Sequence, residues 1–220
     1  MCLIALALNV SPEFPLILAA NRDEFYERPS LPAHRWTESS RVIGGRDVTA
    51  GGSWLAISSV GRFAAVTNLR GAVSKERSRG LLVKDFVLSG TTVSSPELYA
   101  GFNLITGEVG GETTLISNVD NTAVQWQEGI YAVGNDPPHV QSAKVISAVD
   151  AMGTIVNAPH TIESLVFDLM DFLHSPDAFV QTDRYGTRAS TVIVASESDI
   201  TLVEVTLPEG DSVNLQLTRR

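Results

Sequence analysis

Asn21, Arg22, Asp23 and Glu24, followed by Glu27 and Arg28, break abruptly out of the apolar run Leu16-Ile17-Leu18-Ala19-Ala20. Five apolar residues ending in small alanines read as a strand buried on both faces. The charges then stand where that strand leaves the core, a place where polar groups can be held in fixed positions. A salt-bridged surface turn is the competing reading, because these acids and bases can neutralise one another at little cost. A second apolar run, Cys2 to Leu8, is headed by the chain's single cysteine. A thiol with an ordinary pKa of about 8.5 needs only modest help to become a nucleophile. A lone cysteine at a strand start is, equally, the usual small buried hydrophobe.

Other chemistry is excluded by type and spacing. One cysteine permits neither an intrachain disulfide nor a cysteine zinc site, and it fits a reducing, cytoplasmic setting. His34, His139, His160 and His174 show neither Cys-x-x-Cys-His nor His-Glu-x-x-His spacing, so covalent haem attachment and a zincin-type metal site have no support. With 25 acidic against 16 basic residues and no basic run, nucleic acid is not an expected partner. Met1 to Leu8 lacks the positive flank and cleavage pattern of an export signal, and no run reaches membrane-spanning length.

The elements that position these residues follow from periodicity and punctuation. Cys2 to Leu8 pairs with Leu16 to Ala20 across the Asn9 to Pro15 turn. Ser53 to Ser58 and Arg62 to Thr67 form a hairpin, and Ser74 to Gly80 reads as a polar, mobile loop. Leu82, Val83, Phe86 and Val87 recur at helical spacing up to Gly90. A meander of four strands is expected near Phe102 to Thr106, Thr113 to Ser117, Thr122 to Gln127 and Gly129 to Val133. Pro137-Pro138 opens a helix with a stripe of Val140, Ala143, Ile146 and Val149, closed by Gly153. Thr161 caps a further helix with Ile162, Leu165, Val166, Leu169, Phe172 and Leu173 on one face. Three strands, Thr191 to Ala195, Ile200 to Thr206 and Val213 to Thr218, complete the chain. Strands, then helices, then strands predict an α+β fold in one domain over residues 1–220, a four-layer αββα sandwich of two antiparallel sheets covered by helices.

The run Asn21-Arg22-Asp23-Glu24-Phe25-Tyr26 with Arg28-Pro29 resembles the NRDE family, which includes the eukaryotic Transport and Golgi organisation protein 2. So do Gly51-Gly52-Ser53-Trp54-Leu55, Thr67-Asn68, Gly101-Phe102-Asn103-Leu104-Ile105 and Tyr185-Gly186-Thr187-Arg188, in order along nearly the whole chain. That resemblance implies a connection with haem mobilisation and with lipid or acyl-CoA metabolism, and it implies no chemical reaction.

Cys2 directly after Met1 is similar, more distantly, to the N-terminal-nucleophile (Ntn) hydrolases of the choloylglycine hydrolase and penicillin V acylase group. In that group removal of Met1 frees an α-amine, of ordinary pKa about 7.7 to 8.0, that serves as base for the thiol of the same residue. Carried over position by position, the resemblance makes Asp23 the carboxylate that orients this amine. It makes Asn68 the backbone donor and Asn135 the side-chain donor of an oxyanion hole, and Arg188 an arginine near the nucleophile. Asn21, Arg22 and Glu24 remain motif or binding residues. One departure is clear: the hydrolases place an arginine three residues before the aspartate, where this chain has Ala20, and Arg22 instead adjoins Asp23, with strand neighbours facing opposite ways.

Two functions are therefore expected. One is a cysteine amidohydrolase or acyltransferase acting on a nonpeptide C–N or thioester bond of a small, apolar acyl-type ligand, with no required cofactor. The other is a noncatalytic carrier that uses the same pocket for haem or an acylated lipid.

Overall fold

The computed structural model describes residues 2–71 and 75–220. The expected removal of Met1, and the first residue of the expected 74–80 loop, lie outside them. The first half of the chain runs through β1 (Leu3–Leu8), β2 (Leu16–Phe25), β3 (Ser30–Trp36), β4 (Ser39–Asp47), β5 (Leu55–Ser58), β6 (Arg62–Asn68) and helix α1 (Gly80–Ser89). The meander β7 (Phe102–Glu108), β8 (Thr113–Ser117), β9 (Thr122–Trp126) and β10 (Gly129–Val133) follows. Helices α2 (Ala143–Val156) and α3 (Ile162–Leu173) precede the closing strands β11 (Tyr185–Ala195), β12 (Asp199–Thr206) and β13 (Ser212–Thr218).

Two antiparallel sheets result, ordered β10-β1-β2-β11-β12-β13 and β3-β4-β5-β6-β7-β8-β9. The continuous apolar runs have a direct cause. Ile4, Leu6, Leu8, Leu16, Leu18 and Ala20 face Ile43, Leu55, Ile57, Phe63 and Ile105 of the other sheet. Leu3, Ala5, Ala7, Ile17 and Ala19 face the opposite way and pack under α2 and α3. Helix α1 covers the outer side of the second sheet through Leu82, Val83 and Val87. The order of layers is helices, sheet, sheet, helix, the expected αββα sandwich.

Helix α1 ends at Gly90, which takes the left-handed conformation at φ 76°. Helix α3 begins at Thr161 in a reciprocal capping box with Ser164. Helix α2 differs from its expectation. It starts at Ala143 rather than at Pro137-Pro138, and it buries Val145, Ala148 and Met152, while Val140 and Ile146 are exposed. Two strands, β3 and β4, were not expected at all. Their pairing shifts register between Leu31 and His34 and again between Arg35 and Trp36, so the two-residue alternation that marks a strand is broken. The polar motif also sits differently from its expectation. β2 does not end at Ala20 but continues to Phe25, and Asn21, Arg22 and Asp23 are buried inside the sheet.

Candidate active site

Cys2 lies one residue ahead of β1 and aligns in parity with Ile4, so its side chain enters the end of the space between the sheets. Its Sγ accepts from the Asp23 backbone N–H at 3.4 Å and approaches the Asp23 carbonyl at 3.5 Å. Burial pushes the Cys2 thiol above its ordinary value, the Asp23 carboxylate adds to that, and the Asp23 backbone bond opposes it. This thiol therefore needs a base to ionise near neutral pH.

Asp23 is buried and firmly held. Thr187 on β11 donates its hydroxyl to Oδ1 at 2.8 Å, and Lys144 near the start of α2 approaches Oδ2 at 3.7 Å. The Tyr185 hydroxyl donates to the Asp23 carbonyl at 3.1 Å. Burial lowers the Lys144 pKa and raises that of Tyr185. Asn21, two residues earlier on the same face, ties β2 to the end of α3. It donates to the Leu173 and Ala178 carbonyls at 2.7 and 3.1 Å and accepts from Ser190 at 2.7 Å.

A cavity of about 100 Å³ opens over Cys2, lined mainly by polar groups that include Arg22, Asp23, Glu24, Asn68 and Arg79. The strand alternation that separates Arg22 from Asp23 places Arg22 on the face of Ala20. Its guanidinium lies 4.4 Å from the Trp54 ring centroid, and its NH1 reaches the Ser30 hydroxyl at 3.4 Å. Glu24 faces Arg28 at 3.7 Å, and Arg28 binds Asp47 at 2.6 Å.

The two asparagines adjoin each other. Asn68 lines the cavity, whereas Asn135 is outside its lining and donates its amide to the Asn68 carbonyl at 2.6 Å. Asn103 fixes this corner by donating to Thr67, Gly134 and Asp136, and Thr67 donates to Gly134 at 2.6 Å. Arg188 is directed elsewhere. It is the bulged residue between Thr187 and Ala189, and its guanidinium donates to the carbonyls of Phe25, Tyr26, Arg28 and Leu207. The expected place of Arg188 near the nucleophile is not borne out, and it is Thr187, its neighbour in the same motif, that reaches Asp23.

Sequence reasoning missed Arg79, Lys144, Thr187 and Asn103 as site residues. Thr187 and Asn103 stand within quoted motifs, where a buried strand hydroxyl or amide must find a partner. Arg79 and Lys144, single cations in a loop and an amphipathic helix, carry no local signal. Gly52 had a signal of another kind: a Cβ there would meet the Gly80 carbonyl carbon at 2.3 Å, so only glycine lets this loop lie against the start of α1 beside Arg79.

A larger, mainly apolar cleft of about 570 Å³ lies at the sandwich edge between β9, β10 and α2. Trp126 and Tyr131 stack there with centroids 4.4 Å apart, and Gly134 and Asp136 form its wall on either side of Asn135. One loop therefore separates this cleft from the Cys2 cavity.

The sequence model described as Transport and Golgi organisation 2 matches residues 1–209. The chain belongs to the Transport and Golgi organisation 2 family. Transport and Golgi organization protein 2 of Drosophila melanogaster is 33% identical over 219 aligned positions, covering 86% of this chain and 77% of that protein. The homologues of Bos taurus and Homo sapiens are 39% and 38% identical over 129 and 126 positions, and these matches span about half of this chain and just under half of theirs. Among solved structures, a Caenorhabditis elegans N-acylethanolamine-hydrolyzing acid amidase ortholog superposes with a TM-score of 0.58 at 12% identity, covering 88% of this chain and 92% of that one. The C2A mutant of conjugated bile acid hydrolase from Clostridium perfringens gives 0.58 at 10% identity, covering 100% and 97%. The fold is that of the Ntn hydrolases. No helix among the described residues is long and apolar enough to cross a membrane.

Proposed function

We propose that this family member is a cysteine amidohydrolase or acyltransferase, with Cys2 as N-terminal nucleophile once Met1 is removed. The observation that carries the reading is the arrangement of Cys2 at the head of β1, bonded to the Asp23 backbone on the floor of a polar cavity, with the Asp23 carboxylate fixed by Thr187 and Lys144. Two proteins of the same fold are named for hydrolysing N-acylethanolamines and conjugated bile acids, both as amidase or hydrolase.

In this mechanism the α-amine of Cys2 takes the thiol proton and the sulfur attacks the substrate carbonyl carbon. The C–N or C–S bond then breaks, and the leaving amine or thiol carries away the proton held by the α-amine. Water, or an acceptor nucleophile in the transferase case, next cleaves the acyl–Cys2 thioester and restores the thiol. The raised thiol pKa makes the adjacent base necessary, and Asp23 has the charge and position to orient it. Asn68, which lines the cavity, supplies a donor to the developing oxyanion, and Asn135 holds Asn68 in place by donating to its carbonyl rather than serving as the expected second donor. Removing one such donor costs about 2.7 to 4 kcal/mol in the transition state.

Intact-mass spectrometry reports whether Met1 is absent. The same measurement after incubation with a series of acyl thioesters and acyl amides shows an acyl adduct in the wild type and none in Cys2→Ala. Full retention of Met1, together with no adduct for any chain length, overturns the reading.

The carrier reading has one observation in its favour, the 570 Å³ apolar cleft, which lies within the roughly 300–1,000 Å³ of small-molecule sites. The Cys2 cavity is too small for haem by the same comparison. Haem or acyl-CoA binding that is equal in wild type and Cys2→Ala, without adduct or turnover, supports the carrier.

A further inference from the structure

The Cys2 cavity holds arginine side chains that its mechanism does not use, beside the carboxylates of Asp23, Glu24 and Asp47. Three arginines line it, and they are not alike. Arg28 is neutralised by Asp47 at 2.6 Å and Glu24 at 3.7 Å. Asp23 is engaged from the other side by Lys144. Among the described residues no carboxylate lies within ion-pair distance of Arg22 or Arg79. Arg22 is 7% exposed, stacks on Trp54 and makes one long bond to Ser30. Arg79 gives one N–H to the Gly101 carbonyl at 3.0 Å. Each guanidinium carries five donors and stays charged in proteins, so most of this donor capacity is left for another partner. Burial weakens the hold of both arginines on their protons, and the nearby carboxylate of Glu24 offsets this only in part.

These two cations come from different elements. Arg22 sits on β2, and Arg79 stands at the first turn of α1, whose Gly80 also lines the cavity.

We infer that Arg22 and Arg79 form a subsite for an oxyanion, a carboxylate or phosphate group that the substrate carries within a few ångströms of the carbonyl attacked by Cys2. The inference rests on the hydrolase reading for the identity of the reacting atom, and its test separates the two. The planar fork of an arginine matches either oxyanion through paired N–H donors. The small volume fits a charged head group and leaves the rest of the ligand outside the cavity.

Three probes with one common acyl chain decide it: an N-acylglycine, an N-acylethanolamine and the phosphate ester of that ethanolamide. They share the amide and differ in the charge beyond it. Affinity is measured by calorimetry on Cys2→Ala, so that no probe is consumed. At least one anionic probe is expected to bind roughly tenfold or more tightly than the neutral ethanolamide. The favoured arm identifies carboxylate or phosphate. Arg22→Gln and Arg79→Gln each bring that ratio toward one, and Arg22→Lys keeps part of it. The ratio is read on variants whose circular dichroism and affinity for the neutral ethanolamide match those of Cys2→Ala, so that misfolding is not scored as a change of preference. Equal affinities in Cys2→Ala, no binding of any probe, or a preference that survives both glutamine variants overturns the subsite. Turnover of these amides by wild type is scored separately. A charge preference without turnover retires the hydrolase reading and keeps the subsite, whereas turnover without preference does the opposite.

Discussion

The contact between Thr187 and Asp23 shows how little of this site depends on side chains of unusual type. A hydroxyl on β11 donates to a carboxylate oxygen on β2 at 2.8 Å, both groups are buried, and each needs the other. Thr187→Val keeps the volume and removes the donor, leaving Asp23 with one fewer partner. It is expected to lower stability by about 1.5 to 3 kcal/mol, the range for a hydrogen bond to a charged group, in urea unfolding. Thr187→Ser keeps the hydroxyl and should lose much less. If Asp23 orients a base for Cys2, Thr187→Val also slows iodoacetamide alkylation of Cys2 at neutral pH, whereas an unchanged rate assigns the pair to stability alone. At this scale the sequence was partly legible. Asp23 stands out because a charge at the end of an apolar run must be held. Thr187 carries no charge to mark it, and the sequence does not show the bulge that turns Arg188 toward the carbonyls of residues 25, 26 and 28.

Among the elements, the strands with unbroken apolar runs or clean alternation were readable, and so were helices with caps. β1, β2 and β11 are buried on both faces, and Thr161 and Gly90 mark helix ends by known physical preferences. β3 and β4 are not legible because their register slips twice, and the start of α2 is not legible because Val140 and Ile146 mimic a buried stripe while facing solvent. The loop ahead of β5 makes a sharper test. Ser53 N–H donates to the Gly80 carbonyl at 3.0 Å, and Gly52 packs so closely on Gly80 that backbone must move to admit a methyl group. Gly52→Ala is expected to cost about 1 to 3 kcal/mol, as overpacking does, and to displace the start of α1 together with Arg79. The control is Gly51→Asn. No atom lies within 4 Å of a Cβ at Gly51, and asparagine tolerates its φ of 68°, so stability should stay close to wild type. Similar denaturation midpoints for the two variants would show that the close approach is not what fixes α1.

For the whole molecule, the two sheets must stay in register because Cys2 and Asp23 belong to one and Asn68 to the other. Apolar packing between the sheets supplies most of this, and one buried carboxylate adds a polar tie. Glu204 on β12 is 1% exposed and accepts from the Ala33 backbone N–H on β3 at 2.6 Å and from the Thr191 hydroxyl at 2.8 Å. Burial raises the Glu204 pKa above its ordinary value, and the two hydrogen bonds only partly offset this. The folded protein therefore binds this proton more tightly than the unfolded chain does. Between the unfolded value, about 4.3, and the higher folded value, the native state holds more protons at Glu204, so its contribution to stability falls as pH rises. Below both values the penalty is absent. Glu204→Gln retains the acceptor for Ala33 and lets the Thr191 hydroxyl turn to accept, but it cannot ionise. The variant should match wild type most closely at acid pH and gain on it progressively as pH rises from about 4 toward neutrality. Guanidinium midpoints measured across that interval check it. A difference between the two proteins that stays constant with pH would mean that Glu204 titrates alike in both states, and the tie between the sheets would then owe nothing to its charge.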